Sequence, residues 1–293
     1  MQPNPDLPPG TVLVEAECGL SALERPGDGP AIVFLHGIGS NAYSFTRLFR
    51  CMPDHLRLIA WNAPGYLNSR PPSKAHPHSG DYAEAVARLL VELNVESAHI
   101  VGHSLGTLIA ASFTERAPDR VASLTLAAAA CGYRIARGQT LPGQVAARIA
   151  DLTRLGPAEF AHARAPRLVF EPESNADIVS LVEAEMARVN PDGYAQAVHM
   201  LAAGDLVASM ANVRLCPNFI LGAEDVVTPR SQTEAAAHAW AESHGTRPPI
   251  EVIERAGHAA YVQLPVAFAH ALLALVPALR DHVDSSSRVA KVS

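Results

Sequence analysis

The stretch that decides the fold is Ala98–Ala117, AHIVGHSLGTLIAASFTERA. It begins with the largely apolar run Ala98–Val101, which predicts a buried strand, and ends with Leu105–Ala117, which predicts a helix. Between the two lies a G-x-S-x-G pattern centred on Ser104, in which a glycine on either side lets the backbone turn sharply. We therefore expect Ser104 at a strand-to-helix turn, with its hydroxyl held above the strand ends.

Similar short apolar runs alternate with helical patterns along the rest of the chain. Strands that are separated by helices predict a mainly parallel sheet with helices on both faces. Val12–Glu17 and Leu20–Glu24 have only two residues between them and predict an antiparallel hairpin at the sheet edge. The other predicted strands are Ala31–Leu35, Leu56–Trp61, Ala98–Val101, Val121–Leu126, Asn218–Leu221 and Ile250–Ile253. The predicted fold class is α/β, with an eight-stranded sheet.

The segment from Gly132 to Gly204 has helical periodicity but no strand pattern, and it separates two parts that contain strands. We predict a first core part over residues 1–131, a helical lid over 132–204, a second core part over 205–280 and a flexible tail over 281–293. The predicted lid helices are Gln144–Leu155, Pro157–Arg164, Asn175–Val189 and Pro191–Ala203, broken by proline and glycine. The predicted core helices are Ala42–Cys51, Tyr82–Leu93, Leu105–Ala117, Ser231–Ser243 and Pro265–Val276.

A serine hydroxyl becomes a strong nucleophile only when a base takes its proton and a carboxylate orients that base. His258 lies in a small-residue turn just past a predicted strand, and Glu224 and Asp225 follow another strand. Because these turns share a sheet edge with Ser104, the sequence predicts Ser104 as nucleophile, His258 as base and one of the two carboxylates as orienting acid. The remaining histidines weighed as bases, and set aside, are His36, His103, His199 and His270.

Negative charge that develops beside Ser104 needs hydrogen-bond donors. The start of the helix after Ser104 supplies the backbone N–H of Leu105, and the glycine-rich turn after Ala31–Leu35 supplies that of Ile38. We predict that these two groups form an oxyanion hole. Gly37 and His103, which adjoin the donors and the nucleophile, are expected to contact the substrate.

From about Val12 to Leu279 the chain resembles the α/β-hydrolase superfamily. The motifs that carry the resemblance, in chain order, are His36–Gly39, Trp61–Tyr66, Gly102–Gly106 and Gly257–His258. The resemblance implies a Ser, acid, His order and favours Asp225 over Glu224, because the family's acid turn commonly has this form. The chain departs from the family at Asn62, where Asp is frequent, and at Leu67, where a second glycine is common, and this loop is expected to shape the pocket wall.

Composition excludes several classes of function. A formal net charge of -6 discourages binding to nucleic acid or anionic lipid. The four cysteines have no CxxC spacing, which indicates reduced thiols, and Met1–Gly10 lacks the pattern of a secretory signal, so a cytoplasmic location is expected. We predict no metal and no cofactor. The expected partner is a small-molecule substrate, without nucleic acid or stable membrane association, and a homo-oligomer is left open.

Three functions are consistent with these residues. The favoured one is hydrolysis of a small-molecule carboxylic ester or lactone through an acyl-enzyme. A second is hydrolysis of a carbon–carbon bond in ring-cleavage products of aromatic degradation, for which four arginines of the predicted lid could supply positive charge: Arg134, Arg137, Arg148 and Arg164. A third is a non-hydrolytic ligand-binding protein or cofactor-free oxygenase on the same scaffold. The aromatic candidates for the pocket wall, or equally for the lid core, are Tyr133, Phe160, Phe170 and Tyr194.

Overall fold

One eight-stranded sheet forms the centre of the molecule in a computed structural model, which describes residues 7–136 and 139–280. The strands are β1 Val12–Glu15, β2 Ser21–Arg25, β3 Ala31–Leu35, β4 Arg57–Asn62, β5 Ala98–His103, β6 Val121–Ala127, β7 Asn218–Gly222 and β8 Ile250–Ile253. Their order in the sheet is β1-β2-β4-β3-β5-β6-β7-β8. The pairs β1–β2 and β2–β4 are antiparallel, and the five pairs from β4 to β8 are parallel. The predicted α/β fold class is confirmed.

Helices cover the sheet. They are α1 Thr46–Phe49, α2 Ser79–Glu92, α3 Leu105–Arg116, α4 Gly143–Arg164, α5 Ala176–Met186, α6 Pro191–Ala203, α7 Leu206–Met210, α8 Arg230–His244, α9 Ala260–Gln263 and α10 Pro265–Leu275. Helix α2 packs against α3, and α10 packs against α1 and against β7 and β8. Among the described residues, none of these helices has both the length and the apolar character needed to span a membrane.

The apolar strand residues predicted from sequence are the core. Four of the five residues of β3 are buried, and all six residues of β5 are buried. Phe34 of β3 packs its ring 5.2 Å from that of Phe45 and 5.7 Å from that of Phe49, measured between ring centroids. Runs that are buried on both faces lack alternation because parallel strands are covered by helices on each side.

Some strands begin or end at other residues than predicted, because pairing with the neighbouring strands, rather than residue type, decides where they end. Strand β5 continues to His103, since Gly102 pairs with both Leu35 and Leu126 and His103 pairs with Ala127. The hairpin is confirmed, with Val12 opposite Glu24, although β1 ends at Glu15. Hydrogen bonding to neighbouring strands extends or shortens a strand irrespective of its own propensity.

The helical insert, here defined as residues 132–204 between β6 and β7, contains α4, α5 and α6, and α7 follows it. Gly156 interrupts α4 with a φ of 75°, so the predicted break before Pro157 is present. The two ends of the insert are tied together, because Ile135 N–H donates to Ala202 O at 2.9 Å. Helix α7 was not predicted, although Asp205 caps it by accepting from Ala208 N–H at 3.0 Å.

Candidate active site

Ser104 occupies the turn between β5 and α3 with φ 53° and ψ −116°, a conformation that non-glycine residues rarely adopt. Its N–H donates to Ala127 O at 2.9 Å, which fixes the turn to the neighbouring strand. A Cβ atom on Gly102 would overlap the carbonyl of Gly106, and one on Gly106 would overlap that of Leu35. The sequence pattern G-x-S-x-G is therefore required by backbone packing as well as by the turn itself.

His258 and Asp225 meet from loops that follow adjacent strands. Nδ1 of His258 lies 2.8 Å from Oδ2 of Asp225, and the carboxylate is fully buried. Because Nδ1 of His258 is hydrogen-bonded to Asp225, Nε2 is the ring nitrogen that is available to a group in the cavity. Glu224, the rival acid, is exposed.

Thr228 holds Asp225 in place. The hydroxyl of Thr228 donates to Oδ2 of Asp225 at 2.8 Å, and the N–H groups of Val227 and Thr228 donate to Oδ1 at 2.8 and 2.9 Å. Burial raises the pKa of Asp225, but the charge and hydrogen bond of His258, together with the Thr228 donors, outweigh it and lower the pKa below its usual value. The carboxylate thus stays ionised beside the imidazole at neutral pH.

His103 is buried beside His258 and lies on the wall of the cavity described below. Its Nε2–H donates to His258 O at 2.9 Å, whereas Nδ1 has no hydrogen-bond partner among the described residues. Burial, followed by the nearby His258, lowers the pKa of His103 to about 3, so the ring is neutral. A Cβ on Gly37 would lie 3.1 Å from both His103 Nδ1 and Ser104 Cβ. His103 therefore supports the loop of His258 while Gly37 keeps the space beside the serine small.

The turn after β3 presents the N–H of Ile38. Within the described part of the chain, the N–H groups of Ile38 and Leu105 donate to no backbone acceptor. His36 braces this turn, since its Nδ1–H donates to Gly37 O at 2.8 Å and its Nε2 accepts from Ala63 N–H at 3.0 Å. Burial lowers the pKa of His36 to about 4, which keeps it neutral for this double role.

A cavity of about 490 Å³ lies against these groups. Five predicted site residues line it: Gly37, Ile38, His103, Ser104 and His258. Asp225 and Leu105 are buried behind its wall. The helical insert contributes further wall residues, among them Arg148, Phe160, Arg164, Leu181, Met186 and Tyr194. Phe170 is not on the wall and bonds through its backbone to Gln263.

Sequence reasoning missed a group of cavity hydroxyls. Tyr261 Oη lies 3.1 Å from both Ser40 Oγ and Ser44 Oγ, and the two serine oxygens are 2.6 Å apart. The position of Tyr261, three residues after His258, was the available signal. In residues 7–136 and 139–280, no three His, Cys, Asp or Glu side chains are placed to hold a metal ion.

A family model described as the alpha/beta hydrolase fold matches residues 30–154. The chain has the α/β-hydrolase fold. Among solved structures, the fold is similar to a thermophilic esterase from Thermogutta terrifontis, with TM-score 0.77 and 19% identity over 92% of this chain and 99% of that one. It is also similar to the enol-lactonase from Burkholderia xenovorans, with TM-score 0.76 and 18% identity over 91% and 100% of the two chains.

Sequence relatives of this chain include esterases. The chain is 26% identical over 258 residues to a pimeloyl-[acyl-carrier protein] methyl ester esterase of Vibrio vulnificus, covering 85% of this chain and 95% of the relative. It is 29% identical over 212 residues to the protein of that description in Chromobacterium violaceum, covering 71% and 80%. The chain is therefore similar in sequence to proteins described as esterases.

The two departures from the superfamily pattern have structural explanations in this chain. Asn62 is fully buried, accepts from Ala42 N–H at 2.9 Å and donates to Ser21 Oγ at 2.8 Å, a pair of roles that a carboxylate could not fill. Leu67 adopts a φ of 45°, the left-handed conformation that a glycine there would adopt without strain. Neither these two residues nor the rest of the Trp61–Tyr66 turn lines the cavity, so the expectation that this loop shapes the pocket wall was wrong.

Proposed function

We propose that this protein is a serine hydrolase that cleaves a small-molecule carboxylic ester or lactone through an acyl-enzyme. The observation that carries the proposal is the buried Asp225–His258 pair at 2.8 Å, on the same cavity as Ser104 in its strained turn. The relatives support the bond type, because those of known activity include esterases and an enol-lactonase. Neither ester hydrolysis nor lactone hydrolysis by this mechanism requires a metal or a cofactor.

Acylation would begin when His258 Nε2 takes the proton of the Ser104 hydroxyl. Oγ then attacks the carbonyl carbon, and the negative charge passes to the carbonyl oxygen, which accepts from the N–H groups of Ile38 and Leu105. Collapse of this intermediate breaks the bond to the alkoxy oxygen, and His258 returns its proton to that oxygen. Asp225 holds the imidazole in the required tautomer and stabilises its charged form.

Deacylation would repeat these steps with water in place of Ser104. His258 takes a proton from water, the hydroxide attacks the acyl carbon, and the same two N–H groups stabilise the oxyanion. Release of Ser104 with the proton from His258 leaves the carboxylic acid and the free enzyme. For a lactone, the alcohol and the acid belong to one product.

We further propose that the helical insert acts as a lid over a small-molecule pocket. Its residues form one side of the cavity, and the catalytic candidates form the other. The volume of about 490 Å³ falls within the usual range of small-ligand sites. On this basis the core parts would be residues 1–131 and 205–280, as the sequence predicts.

Carbon–carbon bond hydrolysis is a second candidate, because Arg148 and Arg164 lie on the cavity wall. Of the other arginines proposed from sequence, Arg134 pairs with Asp205 at 3.2 Å, and Arg137 lies outside the described residues. A vinylogous diketone assayed beside an ester would distinguish the two reactions.

The proposal is tested by intact-protein mass after treatment with a fluorophosphonate. We expect one adduct on the wild type, none on Ser104→Ala, and one on Ser40→Ala, which removes another cavity serine outside the turn. A chain-length series of 4-nitrophenyl esters should then show turnover that Ser104→Ala lacks. Folded wild-type protein with neither adduct nor turnover would overturn the proposal in favour of a non-hydrolytic ligand-binding function.

A further inference from the structure

The charged side chains of the cavity have the opposite sign to the protein as a whole. The formal net charge of the chain is -6. Among the described residues that line the cavity, the arginines are Arg47, Arg148, Arg164 and Arg167, and the one carboxylate is Glu185. A concave site with excess positive charge attracts anionic ligands, and it does so more strongly where water is excluded.

Two of these groups already have ionic partners. Glu185 Oε2 lies 3.1 Å from Arg188 Nη1, and Arg164 Nη2 lies 3.3 Å from Asp151 Oδ2. Arg47 donates to the carbonyl of Val262 at 3.0 Å. Their charge or donor capacity is therefore partly satisfied within the protein.

Arg148 differs because its polar partners are phenols. Its Nη2 lies 3.5 Å from Tyr133 Oη, its guanidinium also interacts with the Tyr194 hydroxyl, and no carboxylate of the described chain lies within ion-pair distance. Burial lowers the pKa of Arg148, but the oxygens of Tyr194 and Tyr133 raise it by more, so the group is charged. Arg148 is half-buried, and all three side chains line the cavity.

A half-buried guanidinium without a counter-ion favours a ligand that supplies one. Its planar fork matches a carboxylate in a two-bond geometry, and phenol hydroxyls can donate to the same oxygens. The three groups together offer a site for one planar anion rather than for an uncharged alkyl chain.

We propose that Arg148, Tyr133 and Tyr194 form a subsite for a free carboxylate of the substrate, apart from the bond that is cleaved. The inference rests on the proposed hydrolase function and names its substrate class, which is a half-ester of a dicarboxylic acid or a lactone that bears a carboxylate. Arg148 is the specificity-determining residue of this site.

The test compares 4-nitrophenyl hydrogen glutarate with 4-nitrophenyl pentanoate, which has the same acyl length and no charge. We expect the wild type to prefer the anionic ester. Arg148→Met should lower kcat/KM for the anionic ester about ten- to hundredfold more than for the neutral one, mainly through KM, because a hydrogen bond to a charged group is lost. Arg148→Lys should restore part of the preference.

A control variant and a second charged substrate complete the test. Arg154 lies on the same helix, pairs with Asp151 at 3.1 Å and is absent from the cavity wall, so Arg154→Met should leave the preference unchanged. 4-Carboxyphenyl pentanoate, with its charge on the alcohol side, reports whether the subsite faces the acyl or the leaving group.

Failure of this inference is distinguishable from failure of the hydrolase proposal. If Ser104 is labelled and the neutral ester is cleaved, but Arg148→Met affects both esters equally, the carboxylate subsite is wrong and the hydrolase stands. If no ester is cleaved, calorimetric binding of glutarate to wild type and to Arg148→Met still decides the subsite, and equal affinities would overturn it.

Discussion

Asp225 Oδ2 lies 2.8 Å from His258 Nδ1, while the neighbouring Glu224 is exposed to solvent. The two carboxylates are adjacent in the chain, but the turn directs only one of them inward. Three donors from Val227 and Thr228 hold that carboxylate in place.

Asp225→Asn should therefore lower kcat about 10³- to 10⁴-fold, because an amide no longer selects the required tautomer of His258. Glu224→Gln, which is the matched control, should stay within about twofold of wild type, as is usual for an exposed substitution. Steady-state hydrolysis of a 4-nitrophenyl ester measures both. An active Asp225→Asn with an inactive Glu224→Gln would reverse the assignment of the acid.

Thr228→Val should reduce kcat more moderately while keeping the volume of the side chain. The variant loses the hydroxyl that donates to Asp225 Oδ2 at 2.8 Å, so the pKa of Asp225 should rise toward its ordinary value. The measurement is the pH dependence of kcat, whose acid limb should move to higher pH. Thr228→Ser retains the hydroxyl and should restore the wild-type profile, whereas identical profiles for all three proteins would contradict this role.

His36 should make the fold sensitive to acid. Burial lowers its pKa to about 4 against 6.5 for the unfolded chain, so unfolded protein takes up a proton first as the pH falls. The contribution of His36 to the free energy of unfolding is complete above pH 6.5 and is lost progressively as the pH falls toward 4. The loss is at most about 1.4 kcal/mol per pH unit.

Urea unfolding at several pH values between 7 and 5 measures this effect. Between pH 7 and pH 5 the free energy of unfolding of His36→Gln should fall by about 2 kcal/mol less than that of wild type, whatever the stability of the variant at pH 7. The exposed His270 provides the control, since His270→Gln should leave the pH dependence unchanged. Parallel curves for wild type and His36→Gln would show that the acid sensitivity arises elsewhere.

The sequence predicted the elements of the site because parallel strands end at one edge of a sheet. Ser104 and His258 follow different strands and are 154 residues apart, yet the strand pattern alone put them on the same side. The Ser104 turn was equally predictable, since the two glycines that it needs, Gly102 and Gly106, lie two residues before and two residues after the serine. Local pattern and sheet topology together were sufficient for these positions.

Contacts between distant side chains were not predictable in the same way. Tyr261 bonds Ser40 across 221 residues, and the support of the His258 loop by His103 depends on a ring direction that no spacing specifies. The short helix α7 was missed because five residues show too little periodicity, although its cap at Asp205 was visible. The insert arginines were recognised as a group, but only tertiary packing separates Arg148 from Arg134, which pairs with Asp205 at 3.2 Å.

The glycines around Ser104 provide a test of the turn that does not depend on catalysis. A Cβ on Gly106 would overlap the carbonyl of Leu35, so the helix or the strand must move to accept it. Gly106→Ala should therefore reduce the free energy of unfolding by about 1–3 kcal/mol or more. Gly143, at the start of α4, has open space around its Cβ position, so Gly143→Ala should be neutral or stabilising by about 0.5 kcal/mol. Urea denaturation of the two variants beside wild type measures the difference, and equal stabilities would mean that the close approach of α3 to β3 is not required.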